Sequence, residues 1–146
     1  MKDFNFHIPT KLYFGKDKEL EVGTILSFFG AKKVLIVYGQ GSIVKSGLLA
    51  TVQDLLQKEG IEYIELKGVM PNPDVSKVKE GLALIKAQPV DFILAIGGGS
   101  VIDTAKLIST AYFYDGDPYD ISLKKVQATD RIPVGVILTI SAAGSE

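Results

Sequence analysis

Hydrophobic positions change their spacing along this chain, and the changes mark out its elements. Near the N-terminus Phe4, Phe6 and Ile8 alternate with Asn5 and His7, Pro9 interrupts, and Leu12-Tyr13-Phe14-Gly15 resumes. That pattern predicts two short extended segments forming a small edge ribbon. From Lys18 to Phe29, the residues Leu20, Ile25, Leu26 and Phe29 fall near helical spacing, and Gly30 supplies a stop. Val34-Leu35-Ile36-Val37-Tyr38 is a continuous apolar run, as expected of a strand covered by helices on both faces. It ends in the loop Gly39-Gln40-Gly41-Ser42. Leu48, Leu49, Val52, Leu55 and Leu56 then form a helical stripe closed by Gly60, and Ile61 to Leu66 reads as the next strand.

The same alternation continues. Pro71-Asn72-Pro73-Asp74 leads into a helix carrying Val75, Val78, Leu82 and Ile85, with Asp74 placed to cap it. Asp91 to Ile96 is another buried strand, and Gly97-Gly98-Gly99-Ser100 turns the chain into a helix through about Tyr112. Asp115-Gly116-Asp117-Pro118 is a turn-rich break. Ile132 to Ile140 is the last strand, with Pro133 tolerated at its start. Strands alternating with helices through short loops predict an α/β domain with a doubly wound, mostly parallel sheet and a short N-terminal edge ribbon. Residues 1–146 read as one domain. The small-residue ending Ser141-Ala142-Ala143-Gly144-Ser145-Glu146 follows a strand with no helix after it, and reads as a truncation.

Composition narrows the possibilities further. The chain has 146 residues, 47% of them hydrophobic and 23% charged, with a formal net charge of −1. That suits one globular core and offers no basic patch, so nucleic acid is not an expected partner. Cysteine is absent, which excludes a disulfide framework, a thiolate zinc site and a cysteine nucleophile. The N-terminus lacks a signal-like apolar stretch, and no run approaches the about 20 residues that cross a bilayer. The expected setting is cytoplasmic, away from membranes.

The candidate chemistry lies in the glycine loops. In an open parallel sheet, ligands bind beyond the carboxyl ends of the strands, where helix N-termini present unpaired N–H groups. Successive glycines at Gly97, Gly98 and Gly99 remove the Cβ atoms that would keep a phosphate from the backbone, and the following helix favours an anion. Tight packing of strand on helix would use the same glycines. Ser100 and Asp103 also fit an S-x-x-D capping pattern. An ionised carboxylate would repel a diphosphate, so Asp103 suits a cap or a ribose partner better than a phosphate contact. The spacing is not that of the G-x-G-x-x-G dinucleotide fingerprint.

Gly97-Gly98-Gly99-Ser100-Val101-Ile102-Asp103-Thr104-Ala105-Lys106 resembles the GGGS-x-x-D-x-x-K stretch of the iron-containing, or group III, alcohol dehydrogenases. Tyr38-Gly39-Gln40-Gly41-Ser42-Ile43 resembles that family's first βα turn, Pro71-Asn72-Pro73 its PNP loop, and Thr139 to Glu146 its threonine- and glycine-rich segment ending in G-S-E. The resemblance covers essentially the whole chain and points in particular to butanol dehydrogenase and NADPH-dependent aldehyde reductase members. It implies a Rossmann-like fold of the dehydroquinate synthase-like N-terminal kind. It also implies hydride transfer, in the full-length enzyme, between NADP(H) or NAD(H) and a primary alcohol or aldehyde. Gly98, Gly99 and Ser100 would contact the dinucleotide phosphates, with Gly97 and Asp103 close by, and Gly39, Gly41 and Ser42 in the first turn. Thr139 would lie near the nicotinamide half and Asn72 would line the adenosine side. Ala143 departs from the family, where threonine is common at that position.

A carboxylate at the end of the second strand would favour NAD by accepting its ribose hydroxyls and repelling a 2′-phosphate, and none is expected here. The first loop offers Gly39, Gln40, Gly41 and Ser42, with Lys45 one turn on, so NADP(H) is favoured over NAD(H). Family members use a divalent metal, iron or in related groups zinc, held by an aspartate and three histidines in sequence that would follow Glu146, on a helical domain. This chain has one histidine, His7. No metal ligand or catalytic residue is therefore assigned, and the fragment alone is expected to be inactive. Two rivals share the GGGS region or its loops: a zinc enzyme of the glycerol dehydrogenase or dehydroquinate synthase kind, and a non-catalytic nucleotide-binding regulatory domain. Pro71-Asn72-Pro73 and Gly144-Ser145-Glu146 favour the iron-containing branch. Phe4, Phe6 and Ile8 could equally pair with a second subunit as a homodimer or fold onto their own sheet.

Overall fold

The structure is a computed structural model that describes residues 7–72, 74–141 and 144–146. Strands β1 (Lys33–Tyr38), β2 (Glu62–Leu66), β3 (Phe92–Gly97) and β4 (Val134–Leu138) form one sheet in the order β2-β1-β3-β4. Every neighbouring pair is parallel: Leu35 stands opposite Ile64 and Ile93, and Ala95 opposite Val136. Parallel strands need crossovers, and helices supply them: α2 (Ser42–Lys45) and α3 (Leu48–Lys58), α4 (Val75–Ala87), and α5 (Gly99–Ala111). The first helix α1 (Val22–Phe28) follows one 3-10 turn at Lys18–Glu21, and a short α6 (Pro118–Ser122) precedes β4.

The continuous apolar runs explain the layering. Leu35, Val37, Ile93 and Ala95 face α4 and α5, packing on Val78, Leu82, Ile85, Ile102 and Ile108. Val34, Ile36, Phe92, Leu94 and Ile96 face the other way, onto Leu26 of α1 and Val52 and Leu56 of α3. At about 1.5–3 kcal/mol for each fully buried aliphatic side chain, these two layers dominate the energetics. The ion pairs, such as Lys18 to Glu21 at 2.6 Å, are exposed and contribute little in water.

Both helical layers contain a close approach that requires glycine. A Cβ on Gly23 of α1 would stand 2.5 Å from the backbone oxygen of Leu55 in α3. On Gly81 of α4 it would collide with Ile108 Cδ1 and Leu66 Cδ2. At the N-terminal end of the strands, the Asp91 carboxylate accepts hydrogen bonds from the backbone N–H groups of Lys32 (3.0 Å) and Lys33 (3.2 Å), clamping the start of β1 to the start of β3.

Several expectations change. Leu12–Gly15 forms no strand, so the described residues contain no edge ribbon; Phe4 and Phe6 lie outside them. An alternating pattern becomes a strand only when a neighbour accepts its hydrogen bonds, and Pro9 removes one of the donors that would be needed. Leu12 and Phe14 are 83% and 90% exposed, while Lys11 Nζ sits 5.1 Å from the Phe28 ring centroid. The predicted break at Asp115–Pro118 ends in α6, whose first amide is capped by Asp117 (Tyr119 N to Oδ1, 3.1 Å). The last strand is shorter than predicted: Ile132 is buried and its carbonyl accepts from the Ser109 hydroxyl of α5, which takes that residue out of the ladder. Among the described residues no helix is long and apolar enough to cross a membrane.

Gly23→Ala is expected to destabilise the fold by about 1–3 kcal/mol, because backbone cannot yield as a side chain can. Gly81→Ala should cost less, since it meets methyl ends and gains helix propensity. Urea unfolding measures both, and a Gly23→Ala variant as stable as the unmodified chain would contradict this account of the α1–α3 contact. Asp74 caps α4 through the amides of Ser76 (2.7 Å) and Lys77 (3.3 Å). The hydrogen bonds from Ser76 hold its carboxyl below the ordinary value of 3.8. The cap therefore contributes fully above that value and fades as pH falls through the lower native one. Asp74→Ala should lower the melting temperature near neutral pH, with the difference from the unmodified chain closing in acid.

Candidate functional site

Strand order sets a switch point where the chain reverses its direction of winding. The chain leaving β1 passes to α3 on one face of the sheet, and the chain leaving β3 passes to α5 on the other. The two loops therefore diverge at their carboxyl ends, the position where open α/β sheets bind ligands. Gly39, Gly41 and Ser42 lie in the β1 exit, and Gly97, Gly98, Gly99 and Ser100 in the β3 exit. Thr139, exposed beyond β4, donates its N–H to the Gly97 carbonyl at 3.1 Å. On the other flank Gly68 N–H reaches the Gly39 carbonyl at 3.2 Å, and Val69 N–H the Tyr38 carbonyl at 3.1 Å. Four strand exits thus meet along one edge. Asn72 sits further out, exposed, with a left-handed backbone (φ 54°) in the turn that leads to Asp74.

The three glycines of the β3 exit do different things. A Cβ on Gly97 would press on Val101 Cγ2 at 2.8 Å, so this glycine lets strand meet helix. Gly98 is the N-cap of α5, without a side-chain cap, and its carbonyl takes the N–H groups of Val101 (3.1 Å) and Ile102 (3.2 Å). A Cβ here would clash with nothing and would make ordinary contact with Ile140 (Cβ at 3.8 Å). The N–H groups of Gly99 and Ser100 have no acceptor among the described residues. This helix is thirteen residues long, starts without a side-chain cap, and presents donors and a positive dipole end at the strand exits.

The capping pattern at Ser100 and Asp103 is not used. The helix begins at Gly99, which leaves Ser100 inside the first turn, where its carbonyl accepts from the Thr104 hydroxyl at 2.8 Å. Asp103 is a turn too late to cap, and lies exposed beside a groove lined by Asp74, Val78, Lys106, Thr110 and Tyr119. Lys106 reaches from α5 to the Ser145 carbonyl, fastening the last segment to this helix. A second groove, around Lys33, Gln57, Gly60 and Glu62, lies at the opposite end of the strands from the glycine loops.

One carboxylate was missed. Glu65 stands one residue before the end of β2, which corrects the expectation of no acid there. The residue is not free to meet a ribose: Glu65 Oε2 accepts from the Tyr38 hydroxyl at 2.7 Å and Oε1 from the Gln53 side-chain amide. Burial first, then the hydrogen bond and charge of Glu65, push the Tyr38 phenol up to about 12. The signal is a glutamate inside an otherwise half-buried strand, opposite Ile36 and diagonal to Tyr38 in the neighbouring strand. Ala143 and Pro73 lie outside the described residues. His7 is exposed, and among the described residues no three histidine, aspartate or glutamate side chains gather as metal ligands would.

Comparison with known proteins finds relatives along the whole of this chain. The chain is 49% identical over 146 residues to the probable NADH-dependent butanol dehydrogenase 1 of Bacillus subtilis, covering all of this chain and 38% of that protein. It is 38% identical to the NADPH-dependent aldehyde reductase YqhD of Escherichia coli, again covering all of this chain and 38% of the relative. Its fold superposes with a TM-score of 0.95 on the crystal structure of NADH-dependent butanol dehydrogenase A from Thermotoga maritima, at 43% identity, covering 99% of this chain and 36% of that one. The chain thus spans less than two fifths of the length of these relatives. The model of the iron-containing alcohol dehydrogenases matches residues 9–146, and the chain belongs to that family.

Proposed function

We propose that this chain is the dinucleotide-binding part of an enzyme that moves hydride between a nicotinamide dinucleotide and a primary alcohol or aldehyde. The observation that carries the reading is the uncapped start of α5 at Gly98, where a Cβ would fit without a clash, set at the reversal point of the sheet. The fold has room for a Cβ there and would gain from a capping side chain, yet has neither, which is what a backbone-cradled diphosphate requires. Gly98, Gly99 and Ser100 would hold the phosphates, Gly39, Gly41, Ser42 and Asn72 the adenosine side, and Thr139 the nicotinamide side. Gly97 serves through the strand-to-helix turn and Asp103 through the ribose edge.

NADP(H) is preferred over NAD(H) on electrostatic grounds. The β1 exit holds no acid, and Glu65, the acid nearest along β2, is committed to Tyr38 and Gln53. A free carboxylate about 4 Å from a 2′-phosphate would oppose it by about 1–4 kcal/mol, and that opposition is absent. Lys45 lies exposed in the last turn of α2, where it can add weak attraction or stay solvated. The names of the relatives divide on this point, NADH for the butanol dehydrogenases and NADPH for the aldehyde reductase. Among the described residues no cluster of histidine, aspartate or glutamate side chains fits the metal of the family's name, so no step is assigned to it. In the cytoplasm such a chain would work with small soluble substrates, without nucleic acid or membrane, as a monomer or as a pair joined near residues 4–8.

Titration of the chain with NADPH and NADH by nicotinamide fluorescence is expected to give tighter binding of NADPH. Tighter NADH binding would overturn the preference while leaving the site intact. Gly98→Ala should weaken both at least about tenfold while costing the fold no more than about 1 kcal/mol. A Gly98→Ala variant that binds like the unmodified chain would remove the diphosphate from this helix start.

A further inference from the structure

Tyr38, Glu65 and Gln53 form a polar bridge at the edge of the hydrophobic core. Tyr38 is the last residue of β1 and is 5% exposed, with its ring in the layer shared with Ile43, Leu49 and Ile96. Its hydroxyl donates to one oxygen of Glu65 in β2, and the other oxygen accepts from Gln53 in α3. One half-buried carboxylate therefore joins three elements. Apolar side chains could fill the same space, and replacing buried polar clusters by apolar ones is often neutral for stability. Hydrogen bonds add direction, which packing alone lacks.

The bridge brackets the β1 exit. Between Tyr38 and Gln53 the chain runs through Gly39, Gly41 and Gly47, the last two at φ +151° and +80°, and through α2, only four residues long. Glycine-rich backbone loses much entropy when it is held in one conformation. Tyr38 fixes where this segment starts, and Gln53 ties the helix on which it ends to the same carboxylate. The phenol stays protonated, and so remains a donor, throughout the range in which proteins work.

We propose that the Tyr38–Glu65–Gln53 bridge positions the Gly39–Ser42 loop for the adenosine half of the dinucleotide, making Tyr38 and Glu65 positioning residues for nucleotide affinity. The proposal rests on the dinucleotide reading above. It separates this pair from the phosphate-cradling backbone of α5, which the bridge does not touch.

Calorimetry with ADP-ribose on the full chain, paired with amide hydrogen exchange, tests it. The unmodified chain should bind ADP-ribose. Tyr38→Phe should weaken that binding about three- to tenfold and speed exchange at residues 39–47, while exchange in β3 and the melting temperature stay close to their original values. Glu65→Gln keeps an acceptor for the hydroxyl and should bind within about twofold of the unmodified chain. Unchanged ADP-ribose affinity in Tyr38→Phe overturns the proposal, as does faster exchange spread evenly through β1 and β3, which would make the bridge a general support. An unmodified chain that binds no ADP-ribose overturns the dinucleotide reading itself, and the proposal with it.

Discussion

A parallel strand cannot pass the chain to its neighbour through a hairpin, and the rest of this molecule follows from that constraint. Each crossover must return over a face of the sheet, so a central strand is buried on both sides and becomes apolar along nearly all its length, as β1 beyond Lys33 and β3 are. Each crossover also starts from the same end of the sheet. All four strand exits are thus gathered on one edge, and the order β2-β1-β3-β4 sends two neighbouring exits to opposite faces. The divergence of the loops at Gly39 and Gly97 is a result of topology before any particular residue shapes it. Glycines then decide what can approach the backbone there.

Those glycines divide by their surroundings. Gly97 is needed where β3 meets α5, whereas a Cβ on Gly98 would fit in ordinary contact with Ile140. A run of three identical residues carries no such distinction, which is why the sequence alone leaves packing and phosphate binding as alternatives. The same limit applies at Ser100 and Asp103. Their spacing fits a cap, but the start of the helix is set by Gly98, whose carbonyl takes the amides of Val101 and Ile102.

Most of the architecture was legible because its signals are local and repeated. The apolar runs at 34–38 and 92–96, the stripe through Leu49, Val52 and Leu56, and the Asp74 cap all stand where their patterns place them. What escaped was short or long-range. The helix α6 has the signature of an aspartate cap followed by proline, yet at five residues its hydrophobic stripe is too brief to register beside a turn-rich stretch. The N-terminal alternation looked like a ribbon because spacing records side-chain polarity and says nothing of a hydrogen-bonding neighbour. Glu65 was overlooked since its partners, Tyr38 and Gln53, are 27 and 12 residues away and meet it only once the sheet is formed.

The grip of Asp91 on the amides of Lys32 and Lys33 sits at the end of the strands remote from the glycine loops. Strand alignment is thereby secured on one side of the sheet while recognition is left to the other. Loops on the recognition side can lengthen, shorten or exchange residues without letting β1 slip against β3. Diversification of ligand preference and preservation of the scaffold are in this way assigned to separate ends of the same strands.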